Sequence, residues 1–296
     1  WRVQQAPGYD EDSDNSARKP AYTLEDVSPA AQAQRLAYLD GVLKQLDGID
    51  PNALSPREQV NHAVYHPQIA HMAASLRFRD YEMPFNADSS FWANLGFMAQ
   101  AELRDAEAYR AYAARLRDVP RHFDQQIANM RAGLARGFSV PKPVLAGRDA
   151  SIAMVAELQR PEDAALWAPY KRMPATIPAA EQEALRAEGR KAIADAVIPA
   201  FAKLLVFFRG EYMPQARTTL AAEAMPDGKD WYREQIRAYT TLDLSADEIH
   251  AIGLREVASL RAEMDAIIDR LGFKGASKAT RFADFLHFLR TDPQFY

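Results

Sequence analysis

Cysteine is absent from the 296-residue chain, which excludes disulfide bonds and thiolate metal ligands. The chain also lacks the helical His-Glu-x-x-His motif, in which two histidines one turn apart bind zinc and the glutamate acts as the base. Neither a Gly-x-Ser-x-Gly nucleophile turn nor a glycine-rich phosphate-binding loop occurs. The sequence therefore carries no complete catalytic motif of these kinds.

Clusters of basic residues and long apolar runs are also missing. Lys and Arg number 36 against 40 Asp and Glu, a net charge of -4, so we expect no nucleic-acid partner. No apolar stretch approaches the roughly 18 residues that suggest a transmembrane segment, and we expect none. The first residue is Trp1 rather than Met, which a cleaved export signal or a trimmed terminus would explain.

Glycine is scarce, with 13 residues in 296, and strand-like alternation is essentially missing. Helical spacing runs along most of the chain, with helix caps at Ser28 and Ser55 and a Ser-x-x-Glu capping box at Ser245. We predict an all-α fold, a multi-helix bundle, with one helical domain over residues 23–296. Residues 1–22 are predicted to be poorly ordered because they offer few apolar side chains to pack.

The helix that follows Ser245 has a regular apolar side. Its apolar residues recur every three or four positions and are predicted to be buried in the core. They are Ile249, Ile252, Val257, Leu260, Met264, Ile267 and Leu271.

Candidate binding residues begin at the turn Pro226-Asp227-Gly228, where we expect glycine to accept a positive φ. This turn delivers Trp231 and Tyr232 to the start of a helix, and Thr240 and Thr241 follow near its end. Aromatic rings and hydroxyl groups in this order can line a peptide groove. They can equally pack in a core, and the sequence leaves both interpretations open.

His250 is a further candidate, with Glu248 before it and Gly253 after it on the same predicted helix. In the functional interpretation His250 faces a substrate cleft. In the structural one Glu248 caps the helix, Gly253 permits close helix packing and His250 makes a buried polar contact. His62 and His66 lie one turn apart, but no third ligand is evident, so we assign them structural roles and predict no metal ligand.

The polar and aromatic segment at residues 79–86 leaves a helix through a proline. It contacts a ligand or simply connects two helices. Together with residues 225–257, which include Glu248-Ile249-His250, Gly253 and Glu256, it resembles the bacterial domain of unknown function 885 family. The similarity extends over about residues 27–296.

This resemblance implies the N-terminal half of a larger helical fold like that of a zinc metallopeptidase, incomplete at its C-terminus. Zinc is then expected in the full-length protein and not in this chain alone, and no catalytic residue is assigned here. The implied partners are a peptide substrate and the C-terminal half of the same protein. The substrate-binding residues would be Tyr232, Trp231, Thr240, Thr241 and His250.

The resemblance further implies a lipoprotein, periplasmic or otherwise exported, although the residues themselves leave a cytoplasmic location open. From a different functional class, the alternative is a non-catalytic all-helical module that binds a partner or serves as a scaffold. The lack of a complete catalytic set favours this alternative.

Overall fold

The computed structural model describes residues 21–296, so all but two residues of the segment predicted to be poorly ordered lie outside the description. The all-α prediction is confirmed, because the described residues form helices and no β-sheet, with an isolated bridge between Phe85 and Ser90. The α-helices are α1 Pro29–Asp47, α2 Pro56–Phe78, α3 Phe91–Asn94, α4 Ala106–Arg136, α5 Asp149–Ala156, α6 Ala168–Lys171, α7 Ala179–Ala192, α8 Ile198–Phe207, α9 Met213–Gln215, α10 Gly228–Thr240, α11 Ala246–Arg270 and α12 Arg281–Thr291.

The predicted helix caps are present. The Ser28 and Ser55 hydroxyls accept backbone N–H bonds at the starts of α1 and α2, each followed by a proline in the first turn. At α11 the capping box closes in both directions, because Ser245 accepts from the Glu248 N–H and the Glu248 carboxylate accepts from the Ser245 N–H. These local signals define three helix starts.

The chain divides into two compact units, Trp1–Glu234 and Gln235–Tyr296, and the boundary falls inside α10. In the first unit α4 is the central helix, packed against α7 and α8, while α5 packs against α8. The core around it is rich in aromatic rings, and the Phe123 ring contacts those of Phe91 and Phe201. A smaller apolar cluster joins α1 to α2.

Two π-helical turns, Ile193–Val197 and Phe208–Tyr212, flank α8. Pro199 lies in the first turn of α8. Its ring lacks an N–H and clashes with a carbonyl one turn earlier in a regular helix, and the wider π turn accommodates this. Both α7 and α8 thereby keep their apolar sides against α4.

The second unit contains α11 and α12. Its buried apolar side chains are Ile236, Ile268 and Phe285. The prediction that the apolar side of α11 is buried is wrong, since Val257 and Leu260 are 67% and 55% exposed. Periodicity identifies the apolar side of a helix, but it does not establish that another element covers it.

Candidate functional site

Two segments that the sequence singles out meet in the first unit, around Asp80. The Trp231 indole donates its N–H to Asp80 at 2.7 Å, and the Ser75 hydroxyl donates to the other carboxylate oxygen at 2.8 Å. Asp80 begins the 3-10 turn Asp80–Glu82 after α2, and Trp231 lies in the first turn of α10. We call Ser75, Asp80 and Trp231 the Asp80 cluster.

Burial raises the pKa of the Asp80 carboxyl above its ordinary value. The hydrogen bonds from Ser75 and Trp231, with the nearby charges of His71 and Arg136, act in the opposite direction without cancelling it. The carboxyl therefore holds a proton to a higher pH than an exposed aspartate does.

A left-handed backbone at Arg79 turns the chain into this cluster. Arg79 ends α2 at φ 61° and ψ 46°, and its N–H donates to the Leu76 carbonyl at 3.2 Å. A non-glycine residue is uncommon in this region, so the surrounding contacts must stabilise it. The Asp80 carboxylate then lies within reach of the Ser75 hydroxyl.

Beside the cluster, the buried carboxylate of Glu82 pairs with the Arg136 guanidinium at the end of α4. Arg136 also donates to the Phe78 carbonyl at 2.8 Å and lies over the Phe138 ring, 4.1 Å from its centroid. Gly133 permits this close approach, because a Cβ there would lie 2.7 Å from the Glu82 carbonyl oxygen. The arrangement holds the turn against α4 and leaves little of either charge in water.

A second polar contact joins α10 to α2. The His71 ring nitrogen lies 3.4 Å from the Glu234 carboxylate, and Glu234 is three residues after Trp231 on the same side of α10. Trp231 and Glu234 together fix the start of α10 in the first unit. The indole of Trp231, predicted to bind substrate, is occupied in this role.

The turn before α10 differs from its prediction. The positive φ falls on Asp227, at 55°, rather than on Gly228. Gly228 is required for a different reason, since a Cβ there would lie 2.4 Å from the Ala222 carbonyl oxygen. Aspartate tolerates the left-handed region better than most residues. Asp227 therefore adopts the positive φ of this turn, and Gly228 permits the close approach of the Ala222 carbonyl.

Tyr232 lies beside Trp231 on α10 and is 40% exposed. Its hydroxyl makes no hydrogen bond with any residue in the described part of the chain. Of the two predicted substrate-binding residues in the first unit, Trp231 is hydrogen-bonded to Asp80, whereas the Tyr232 hydroxyl is accessible and has no hydrogen bond within the described residues.

In the second unit, the Thr240 hydroxyl donates to the Ile236 carbonyl at 2.7 Å and accepts the Leu242 N–H at 3.1 Å, so it serves the end of α10. Thr241 is left-handed at φ 60°, and its hydroxyl donates to the Thr240 carbonyl at 2.6 Å. Both hydroxyls thus bind the local backbone.

His250 is exposed on α11, so the interpretation of this imidazole as a buried polar contact is wrong. The expected close packing at Gly253 is also wrong, because a Cβ there would meet nothing within 4 Å. No hydrogen bond joins His250 to another residue within 21–296. Its imidazole is open to solvent.

Two histidines of α2, His62 and His66, contact the end of α1. His62 lies 3.2 Å from the Leu46 carbonyl, and His66 lies 2.8 Å from the Asp47 carboxylate. Among residues 21–296 no group of three or more His, Asp or Glu side chains is placed to hold a metal ion. The described residues therefore do not fit a zinc site, and we derive no chemical step through zinc.

A shallow depression of about 280 Å³ lies between α4 and α8. Its cationic side chains are already paired, Arg131 with Glu211 at 2.6 Å and Lys203 with Asp124 at 2.6 Å. No charge within it is left to select a ligand, so we assign it no function.

The fold is similar to that of a protein of known structure. The crystal structure of the "putative lipoprotein" from Colwellia psychrerythraea matches with a TM-score of 0.73 at 18% identity, over 92% of this chain and 48% of that one. The chain thus spans about half the length of that relative, and at this identity the likeness concerns the fold alone. No curated protein shows significant similarity.

Within the described residues, no helix combines the length and apolar character needed to cross a bilayer. The family model described as "Bacterial protein of unknown function (DUF885)" matches residues 10–296. That match covers nearly the whole sequence, and the chain belongs to the DUF885 family.

Proposed function

We propose that this chain forms the substrate-binding half of a zinc-dependent peptidase, with the metal and its ligands supplied by polypeptide outside it. The observation that carries the proposal is the span of the structural match. This chain belongs to the DUF885 family, yet it covers only 48% of the solved structure from Colwellia psychrerythraea. The reaction class, amide hydrolysis, is the one that the sequence resemblance to the DUF885 family implies. In that class the metal would be held by residues outside this chain and would supply an activated water for amide hydrolysis.

The contribution of this chain is to bind and orient the peptide. The Tyr232 phenol in the first unit and the His250 imidazole in the second are both accessible donors. Taken by itself, either group can donate to a backbone carbonyl of a peptide. Trp231, Thr240 and Thr241 support this role indirectly, because their polar groups fix the two ends of α10.

The test of the metal assignment compares this chain with the full encoded protein. We expect the chain alone to retain far less than one zinc per molecule by elemental analysis and to cleave no peptide. We expect the full protein to retain one zinc and to lose peptide hydrolysis when a chelator removes it. Stoichiometric zinc in the chain alone, or a full protein without zinc, would refute the proposal.

Substrate binding is tested at Tyr232. If its hydroxyl binds a peptide carbonyl, Tyr232→Phe in the full protein raises KM about 3- to 10-fold, the effect of losing one hydrogen bond. Tyr239→Phe is the matched control, since Tyr239 lies on the same helix and is 87% exposed. Equal KM values for the two variants would remove Tyr232 from the binding site.

A non-catalytic binding or scaffold module is the second candidate. The extensive buried core around α4 favours it, because that core is sufficient for the first unit to fold without further polypeptide. A chain that melts cooperatively, sediments as a monomer and captures a protein partner without zinc supports this function.

We further infer export, and fractionation of cells that express the full protein tests it.

A further inference from the structure

One side of α11 presents a continuous apolar surface. Val257, Leu260, Met264, Ile267 and Leu271 recur at alternating spacings of three and four residues, and we call them the α11 stripe. Their exposed fractions run from 37% for Met264 to 67% for Val257. Single exposed apolar residues are ordinary, but a stripe with this spacing is the pattern by which one helix packs along another.

The remainder of the second unit leaves the stripe open. α12 packs on a neighbouring side of α11, where Ile268 is fully buried. There Arg261 lies over the Phe282 ring at 3.9 Å, and Arg281 pairs with Asp269 at 2.5 Å. These contacts direct α12 away from the stripe.

The second unit is also short of apolar burial. Its buried apolar side chains are too few to stabilise a unit of this length: they are Ile236, Ile268 and Phe285. Covering the stripe would remove five more large side chains from water. The burial that this unit lacks is therefore available on the α11 stripe.

Charged residues along one edge of the stripe define what kind of helix would fit. Glu256 and Glu263 precede Val257 and Met264 and make no ion pair within the described chain, and Arg270 continues the same edge. A partner helix with its own apolar stripe, basic residues opposite the two glutamates and an acidic residue opposite Arg270 would be complementary.

We propose that the α11 stripe is the docking surface for an apolar helix from the other half of the DUF885 fold. The length of a solved relative argues for this occupant, because the match covers 48% of that chain and about as much polypeptide again lies outside the match. The inference rests on one element of the proposed function, that this chain works together with the other half. It does not depend on zinc or on peptide cleavage.

The test uses a pair of double variants on the same helix. Val257→Glu with Ile267→Glu places two charges in the stripe, and Ser259→Glu with Ala266→Glu places two charges on exposed positions away from it. In this chain alone, both variants should keep the wild-type denaturation midpoint, because all four sites are exposed. Only the stripe variant should reduce the fluorescence of an apolar dye, by at least half. Unchanged dye binding would show that the stripe is covered within the chain and would overturn the proposal.

In the full encoded protein, the stripe variant should lower the denaturation midpoint and speed amide exchange in α11 at least 10-fold, while the control variant changes neither. Equal effects of the two variants overturn the proposal, and so does an encoded protein with no further polypeptide. A stoichiometric dimer of this chain that only the stripe variant dissociates also overturns it, in favour of a second copy. A stripe-specific effect in a full protein without zinc supports the docking surface and refutes the peptidase assignment alone.

Discussion

At the scale of single residues, the Asp80 carboxyl makes stability depend on pH. Burial raises its pKa in the folded chain, so the folded state binds more protons than the unfolded state once the pH exceeds about 3.9, the ordinary aspartate value. The contribution of the Asp80 carboxyl to the free energy of unfolding therefore falls as the pH rises from about 3.9 through the raised pKa. Above the raised pKa this contribution is constant. We expect Asp80→Asn to be less sensitive to pH in this window. Urea unfolding of both proteins across the window measures the difference, and parallel curves would contradict the assignment.

Trp231→Phe removes one of the two donors to Asp80 while keeping an aromatic ring. A partly buried carboxylate that loses a hydrogen bond at 2.7 Å should destabilise the chain by about 1–3 kcal/mol. The control is the same change in an Asp80→Asn background, where the coupling to a charge is gone. If Trp231→Phe lowers the free energy of unfolding equally in the wild-type and Asp80→Asn proteins, Trp231 acts by packing alone.

At the scale of helices, two glycines should respond in opposite directions to alanine. Gly228→Ala places a methyl group 2.4 Å from the Ala222 carbonyl oxygen, so we expect a loss of about 1–3 kcal/mol as the start of α10 shifts. Gly253→Ala meets nothing within 4 Å inside α11 and should stabilise that helix by up to about 1 kcal/mol. Thermal unfolding of the two variants measures both changes in stability. A Gly228→Ala protein as stable as wild type would contradict the predicted clash with the Ala222 carbonyl.

Helix starts were predictable because their signals are local. Ser28 and Ser245 cap helices through contacts within three residues, so the sequence carries all the necessary information. The Asp80 cluster was not predictable, because Trp231 and Asp80 are 151 positions apart and meet only through the tertiary fold. Tyr232 was recognisable as a candidate from its place at a helix start, but its exposure could not be deduced from spacing.

At the scale of the whole molecule, the two units should differ in local stability. The first unit buries a large aromatic core, whereas the second has few buried side chains. In hydrogen exchange of this chain, we expect amides in Ala246–Arg270 to exchange much faster than those in Ala106–Arg136. Equal protection of α11 and α4 would show that the second unit is stabilised by contacts within the chain. It would also weaken the case for an external partner.

The π turn at Ile193–Val197 has a consequence for insertions and deletions. A π turn holds one more residue than the corresponding α turn, so it sets the rotational phase of α8 relative to α7. Deleting the exposed Asp195 would remove that extra residue, so Phe201 and Leu204 would stay on the side that meets α4, but the Pro199 ring would then clash with the carbonyl one turn earlier. Inserting a residue there would instead rotate everything after it by about 100°, whereas substitutions preserve the phase, so length is under stronger constraint there than residue identity.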